Sequence, residues 1–77
     1  MRYNAFVRSL ENYRRRMARS LKWKPYMVFQ QRVIMALDQQ RPSTRAALAK
    51  IPGLGAAKIE RFGSDLLQLL REHVNAH

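Results

Sequence analysis

The chain has 77 residues, no cysteine and a formal charge of +10, which comes from 15 Lys and Arg against 5 Asp and Glu. This composition excludes disulfide bonds and thiolate chemistry, and it favours an anionic partner, with nucleic acid first and a membrane surface second. The longest apolar run, Val33–Leu37, is too short to cross a bilayer, and the mixed residues 2–16 do not resemble a secretory signal. We expect residues 1–77 to form one cytosolic domain, a module of a larger protein.

The first helix is predicted over Tyr3–Leu21, with Asn4 placed to cap its start. Its apolar residues recur at three- and four-residue steps and therefore share one face. These residues are Tyr3, Phe6, Val7, Leu10, Met17 and Leu21.

A stripe of cations lies roughly opposite that apolar face of the first helix. We call it the α1 stripe, and it consists of Arg8, Arg15, Arg19 and Lys22, with Arg14 and Arg16 beside it. Glu11 is the one acidic residue in the predicted helix. Unpaired like charges at helical spacing are mutually repulsive, so the stripe favours an external anion over a merely solvated face.

The segment Lys22–Phe29 interleaves three aromatic residues with two lysines. Pro25 disfavours helix at the residue before it, so the first helix is predicted to end by Trp23. Aromatic faces that stack on bases, together with cations that hold the backbone, are typical of single-strand binding. The alternative is that these aromatics belong to the core. It is favoured for Phe29 and, at least in part, for Trp23, whereas both interpretations stand for Tyr26.

Four more helices are predicted after this segment. They cover Gln30–Gln40, Arg45–Lys50, Ala56–Phe62 and a last stretch that begins at Ser64 or Asp65. Pro42 ends the second helix, Ser43 or Thr44 caps the third, and Gly63 ends the fourth. No stretch alternates apolar and polar residues as a strand does. The predicted fold class is therefore all-α, a compact bundle of five helices with a Pro-Gly-Leu-Gly turn between helices 3 and 4.

That turn, Ile51–Lys58, is the most distinctive motif in the chain. Gly53 and Gly55 flank Leu54, and glycine permits a positive φ and the close approach of another backbone or a phosphate. Amide groups at the start of the next helix, together with Lys58, suit an anion. The alternative is a helix junction whose glycines only let the helices pack, and both interpretations stand.

The sequence does not indicate catalysis. The five acids are spread over different elements. Glu11, Asp38 and Glu60 are expected to pair with nearby cations, and Asp65 to serve a helix start. His73 and His77 have no evident third partner for a metal. The glycine turn lacks the Gly-Lys-Ser/Thr ending of a nucleotide-binding loop. We expect no metal, no cofactor and no small-molecule substrate.

Four motifs occur in the order and spacing of an HRDC domain, the helicase-and-RNase-D C-terminal domain. They are Pro25–Phe29, Arg41–Thr44, Ile51–Gly55 and Lys58–Gly63. The chain resembles this family over nearly its whole length, and it most resembles the HRDC domains of bacterial RecQ-type helicases. The resemblance implies a five-helix domain, appended to RecQ-type DNA helicases and RNase D exonucleases, that engages nucleic acid without cleaving or unwinding it.

The resemblance also implies a binding site. By position, the family's DNA-binding aromatic is Tyr26, and its basic residues near the end of the first helix are Arg19, Lys22 and Lys24. With the α1 stripe and the turn included, the expected nucleic-acid-binding residues are Arg15, Arg19, Lys22, Lys24, Tyr26, Gly53, Gly55 and Lys58. The expected function is that of a non-catalytic accessory domain of a helicase, cytoplasmic and nucleoid-associated in a bacterium, which binds single-stranded or junction DNA.

Two alternatives stay open. The domain could dock on its own helicase core or self-associate, with Trp23, Met27 and Met35 as apolar anchors. Its parent could be an RNase D-type exonuclease rather than a helicase. Membrane binding is not expected, because the apolar face of the first helix is needed for the core.

Overall fold

The structure, a computed structural model, describes residues 4–74. Within that range it contains five helices and no strand, which confirms the all-α prediction. The helices are α1 (Ala5–Leu21), α2 (Pro25–Val28), α3 (Gln31–Gln40), α4 (Arg45–Leu48) and α5 (Ala56–Val74). No helix in the described part is long and apolar enough to cross a membrane.

The first helix begins where the sequence predicts. The side chain of Asn4 accepts a hydrogen bond of 2.9 Å from the amide of Val7, so it caps α1 as expected. Its amide group also donates to Asp38, which ties the start of α1 to α3. The helix ends at Lys22, whose left-handed conformation (φ 59°) directs its amide back to Ala18 and Arg19. Tyr3 lies outside the described residues.

A short helix that the sequence did not predict follows α1. Pro25 occupies the first position of α2, where its missing N–H costs no hydrogen bond and its fixed φ suits a helix start. In the structure Pro25 therefore begins α2, whereas α1 has already ended at Lys22. Phe29 then separates α2 from α3 in an extended conformation.

The third and fourth helices meet at a tight junction. Arg41 ends α3 in a left-handed conformation (φ 45°), and its guanidinium pairs with Asp38 at 2.8 Å. The same guanidinium lies 4.3 Å above the ring of Phe6. Thr44 caps α4 by accepting a bond of 3.1 Å from Ala47, as predicted. The glycine turn then connects α4 to α5.

The predicted break at Gly63 is wrong, because α5 runs without interruption from Ala56 to Val74. Gly63 instead admits Arg45, whose guanidinium lies 3.1 Å from where a Cβ at Gly63 would be. Arg45 donates to the carbonyl of Ile59 at 3.2 Å and to the hydroxyl of Ser64 at 2.7 Å. Glycine is needed here for close approach and does not terminate the helix.

The core lies between α1, α3 and α5 and includes residues from every helix. Its centre is aromatic: Phe62 meets Tyr13, Phe29 and Trp23 edge-on at ring distances of 6.0 to 6.4 Å. Tyr13 is buried, although it is not among the residues predicted for the apolar face of the first helix. Its hydroxyl donates a bond of 2.7 Å to Asp65, and this contact allows a tyrosine to sit in the core.

Candidate nucleic-acid interface

The α1 stripe is set by helix geometry alone. At about 100° per residue, Arg8, Arg15 and Arg19 fall within an arc of about 40° roughly opposite the buried face of α1, and Lys22 follows as the C-cap residue. All four side chains are exposed. Along the axis the stripe extends about 21 Å from Arg8 to Lys22, at about 1.5 Å per residue. The result is a straight row of cations on a rigid element, with Arg15 held lightly by a bond of 3.3 Å to Asn12.

The two arginines beside the stripe have structural roles. Arg14 is half-buried and donates to the carbonyl of Phe29 at 3.2 Å and to Gln31 at 3.0 Å. Gln31 in turn donates to Glu11, so a polar chain joins α1 to α3. Arg16 lies over the ring of Tyr13 at 5.8 Å on the side of α1 that faces α5.

The loop after α1 displays the predicted aromatic residue. Tyr26 is 60% exposed and Met27 is 47% exposed, the two large apolar side chains that the described surface leaves open. Lys22 and Lys24 are also exposed. Because α2 begins at Pro25, Tyr26 sits in the first turn of a short helix rather than in a floppy loop. An exposed ring on a helix that follows two lysines is suited to stacking on a base.

The other aromatics of this segment belong to the core, as the alternative interpretation held. Phe29 is fully buried. Trp23 is half-buried: its edge meets Phe62, and the guanidinium of Arg61 covers its face at 5.1 Å. Arg61 is exposed and stands beside the loop, although sequence reasoning did not select it. Its only sequence signal is its place one helical turn after Lys58.

Gly53 owes its identity to the fold. Its φ of +89° is unfavourable for any other residue, and a Cβ there would lie 3.0 Å from Cγ2 of Val33. The same position is 3.5 Å from Nη2 of Arg32, so that guanidinium rests on the turn. Ile51 and Leu54 are buried, as expected.

Gly55 differs from Gly53. No atom lies within 4 Å of where its Cβ would be, and it has no positive φ. Its carbonyl accepts a bond of 3.0 Å from Ile59, which makes it the N-cap of α5. Ala56 and Ala57 are exposed and Lys58 is half-exposed, so the start of α5 lies at the surface.

Three of the described acids have defined side-chain partners. Asp38 pairs with Arg41, Glu11 accepts from Gln31, and Asp65 accepts from Tyr13. Asp38 thus pairs with a cation as expected, whereas Glu11 bonds to a neutral amide. The expectation for Asp65 was wrong, because the residue lies inside α5 and not at a helix start.

His73 packs at the α1–α5 interface. Its Nε2 lies 3.1 Å from the hydroxyl of Ser9, and its ring centre is 5.4 Å from that of Phe6. His77 lies outside the described residues. Over residues 4–74, no group of three His, Cys, Asp or Glu side chains is placed to hold a metal ion.

Comparison with known proteins identifies the family. A model of the HRDC domain matches residues 4–70. The chain belongs to the HRDC family. It is 40% identical over 62 residues to the ATP-dependent DNA helicase UvrD2 of Mycobacterium tuberculosis, which covers 80% of this chain and 9% of that helicase. It is 35% identical over 48 residues to the ATP-dependent DNA helicase RecQ of Pasteurella multocida, covering 62% of this chain and 8% of that helicase.

The HRDC prediction is thereby confirmed, and RecQ helicases are among the relatives as expected. The UvrD2 match was not foreseen from the motifs, and it covers more of this HRDC chain. A third relative, the ATP-dependent DNA helicase RecQ of Haemophilus influenzae, is 35% identical over 8% of its length. The chain thus spans less than a tenth of the length of each of these helicases.

Proposed function

We propose that this HRDC domain is a non-catalytic accessory domain of a bacterial DNA helicase and that it binds single-stranded or junction DNA. The observation that carries the proposal is the combination of an exposed cation stripe along α1 with an exposed Tyr26 just beyond its end. Neither feature is used by the core. The proposed setting is the bacterial cytoplasm, at the nucleoid.

The proposed division of labour follows from side-chain chemistry. Arg15, Arg19 and Lys22 hold backbone phosphates, because guanidinium and ammonium groups neutralise phosphate and release counterions. Tyr26 stacks on an unpaired base, and Lys24 holds the neighbouring phosphate. Neither contact distinguishes one base sequence from another, so the proposed binding is sequence-tolerant.

The glycine turn is proposed as a second phosphate contact. Gly55 leaves room for a phosphate at the first amides of α5, with Lys58 in the same turn. Gly53 acts indirectly by giving the turn its shape. We add Arg32 to this proposed phosphate contact because its guanidinium lies against the turn.

A helicase parent is favoured over an RNase D parent by the relatives, since UvrD2 and RecQ are both named as ATP-dependent DNA helicases. In this proposal the parent hydrolyses ATP and unwinds DNA, and the HRDC domain tunes which DNA structure is engaged. The scattered acids of the domain are consistent with a part that performs no hydrolysis.

The proposal is tested by titrating the domain into a labelled single strand, a forked duplex and a blunt duplex at several salt concentrations. With about four phosphates neutralised, log K for the single strand falls against log salt with a slope near −3, at about −0.7 per phosphate. The single strand and the fork are expected to bind more tightly than the blunt duplex, because only they offer unpaired bases to Tyr26. Absence of binding to all three at low salt contradicts the proposal.

A further inference from the structure

A groove between α1 and α5 differs in charge from the rest of the surface. It is an open cleft of about 570 Å³. It is lined by Tyr13, Arg16, Met17 and Ser20 on α1 and by Asp65, Gln68, Leu69 and Glu72 on α5. Two of the chain's 5 acids and one of its 15 Lys and Arg residues line it. The lining therefore carries more negative than positive formal charge, although the domain as a whole is strongly basic.

The floor of the groove is apolar and its rim is ordered. Met17 and Leu69 are half-buried against the core and show their remaining surface to the cleft. The hydroxyl of Tyr13 donates to Oδ2 of Asp65 at 2.7 Å, which holds that carboxylate at the rim. Burial raises the pKa of Tyr13, so the phenol stays a neutral donor.

The spacing of the acids matches a helical partner. Asp65 and Glu72 are seven residues apart on one helix, which places them about 10 Å from each other along the axis, with Leu69 between them. A second helix laid in the groove presents residues i and i+7 to the two carboxylates and residues i+3 and i+4 to the floor. Such a partner would make the α1–α5 pair a three-helix arrangement.

The groove and the α1 stripe lie on different sides of α1. Arg15 and Arg19 are each rotated by about 160° from Met17 around the helix axis. DNA on the stripe therefore leaves the groove open. The net charge of the domain repels a basic partner at long range, but within a Debye length of about 10 Å the rim carboxylates act directly on its cations.

We propose that the α1–α5 groove docks an amphipathic protein helix that carries Lys or Arg at positions i and i+7 and apolar side chains at i+3 and i+4. This partner is recognised by the rim acids and the Met17–Leu69 floor together. The inference does not depend on DNA binding, because it uses neither the stripe nor Tyr26.

The first test uses a synthetic alanine-rich helical peptide with that pattern and the isotope-labelled 77-residue chain. The peptide is expected to shift the backbone amide signals of Met17, Ser20 and Leu69. A scrambled peptide of equal composition, with its basic and apolar residues on opposite faces, is expected to bind at least about tenfold more weakly, a loss of about 1.4 kcal/mol. Equal affinity for the two peptides overturns the proposal.

The second test neutralises the rim. Asp65→Asn with Glu72→Gln removes both charges and keeps an acceptor for Tyr13, so the fold is retained. The double variant is expected to bind the peptide about five- to tenfold more weakly, because both exposed ion pairs with the peptide are lost. Glu60→Gln, an exposed glutamate outside the groove, is the matched control and is expected to bind like the unchanged chain.

Other occupants give distinguishable results. Groove shifts on adding single-stranded DNA, or on raising the concentration of the chain alone, assign the groove to DNA or to a second copy and overturn the proposal. Peptide shifts confined to Lys22–Met27 overturn it as well. Unchanged DNA affinity in the Asp65 and Glu72 double variant, together with lost peptide affinity, supports it.

Discussion

The segment Lys22–Met27 follows α1 and includes the start of α2, and the turn Ile51–Gly55 joins α4 to α5. Both carry residues of an HRDC family motif. They differ in what they show to solvent. In the first, Lys24, Tyr26 and Met27 are exposed. In the second, Ile51 and Leu54 are buried.

The difference teaches that a motif can mark either a surface or a junction. In the turn, the positive φ of Gly53 and its contact with Val33 fully account for the glycine. At Tyr26, packing does not explain the aromatic residue, because more than half of its surface is exposed to solvent. An exposed aromatic residue on an ordered helix is the stronger indication of a binding role.

The largest effect is expected at Gly53. Gly53→Ala places a Cβ at a φ of +89° and 3.0 Å from Val33, which should lower the free energy of unfolding by about 2–3 kcal/mol. Urea denaturation measures the change. Gly55→Ala is the matched control: with open space and an ordinary φ, it should lose less than about 1 kcal/mol, the cost of a poorer N-cap. Equal losses of unfolding free energy in the two variants would contradict a specific structural need for glycine at position 53.

The next effect concerns Tyr26. Tyr26→Ala should weaken single-strand binding by about 1–3 kcal/mol through the loss of one stacked base, with little change in stability. Tyr26→Phe keeps the ring and should keep most of the affinity. Fluorescence anisotropy with a short oligonucleotide measures both variants. An alanine variant that binds like the unchanged chain would move the site away from this loop.

The α1 stripe should act through salt. Arg15→Gln with Arg19→Gln removes two phosphate contacts and should make the slope of log K against log salt shallower by about 1.4. Arg71→Gln, an exposed arginine on α5, serves as the control with a slope close to that of the unchanged chain. Equal slopes in all three proteins would show that the stripe is only a solvated face.

The smallest expected effect is a change of stability with pH that depends on the buried Tyr13 and not on the exposed Tyr26. Burial, followed by the hydrogen bond to Asp65 and the charge of that residue, raises the pKa of Tyr13 above its ordinary value of 10.0. The folded chain therefore keeps this proton after the unfolded chain has lost it. The resulting stabilisation is complete below about pH 10 and declines as the pH rises further.

Tyr13→Phe removes this dependence. Between pH 9 and pH 11 the stability advantage of the unchanged chain over the variant should shrink by about 1.4 kcal/mol. Urea titrations at the two pH values measure it, with Tyr26→Phe as the exposed control. A constant difference between the unchanged chain and Tyr13→Phe would contradict a buried, proton-retaining phenol.

The helical fold could be predicted from the sequence because caps and periodicity are local. Asn4 and Thr44 cap their helices as expected. The predicted helix break at Gly63 was wrong because this glycine makes room for the side chain of Arg45. Arg45 lies 18 positions away, and local sequence rules do not connect the two residues. The helix α2 was missed because Pro25 was taken as a helix breaker, whereas in the structure it occupies the first position of a helix.

The candidate site was predictable in part for the same reason. Helical spacing places Arg8, Arg15 and Arg19 on one side of α1. The sequence left the burial of Tyr26 open, and only the fold shows that it is exposed. The burial of Tyr13 needed Asp65, which lies 52 residues along the chain. The role of Arg14 as a link to Phe29 and Gln31 needed the position of α3. Tertiary contacts of this kind distinguish a cation that is available to a ligand from one that packs within the fold, and sequence spacing does not predict them.

The most direct test of the central claim is a map of backbone amide shifts while a single-stranded oligonucleotide is added to the labelled chain. We expect the largest shifts at Lys22–Met27 and along Arg15 and Arg19, with little change at Met17 and Leu69 on the other side of α1. Shifts centred on the α1–α5 groove, or absent from Tyr26 at saturating oligonucleotide, would contradict the account.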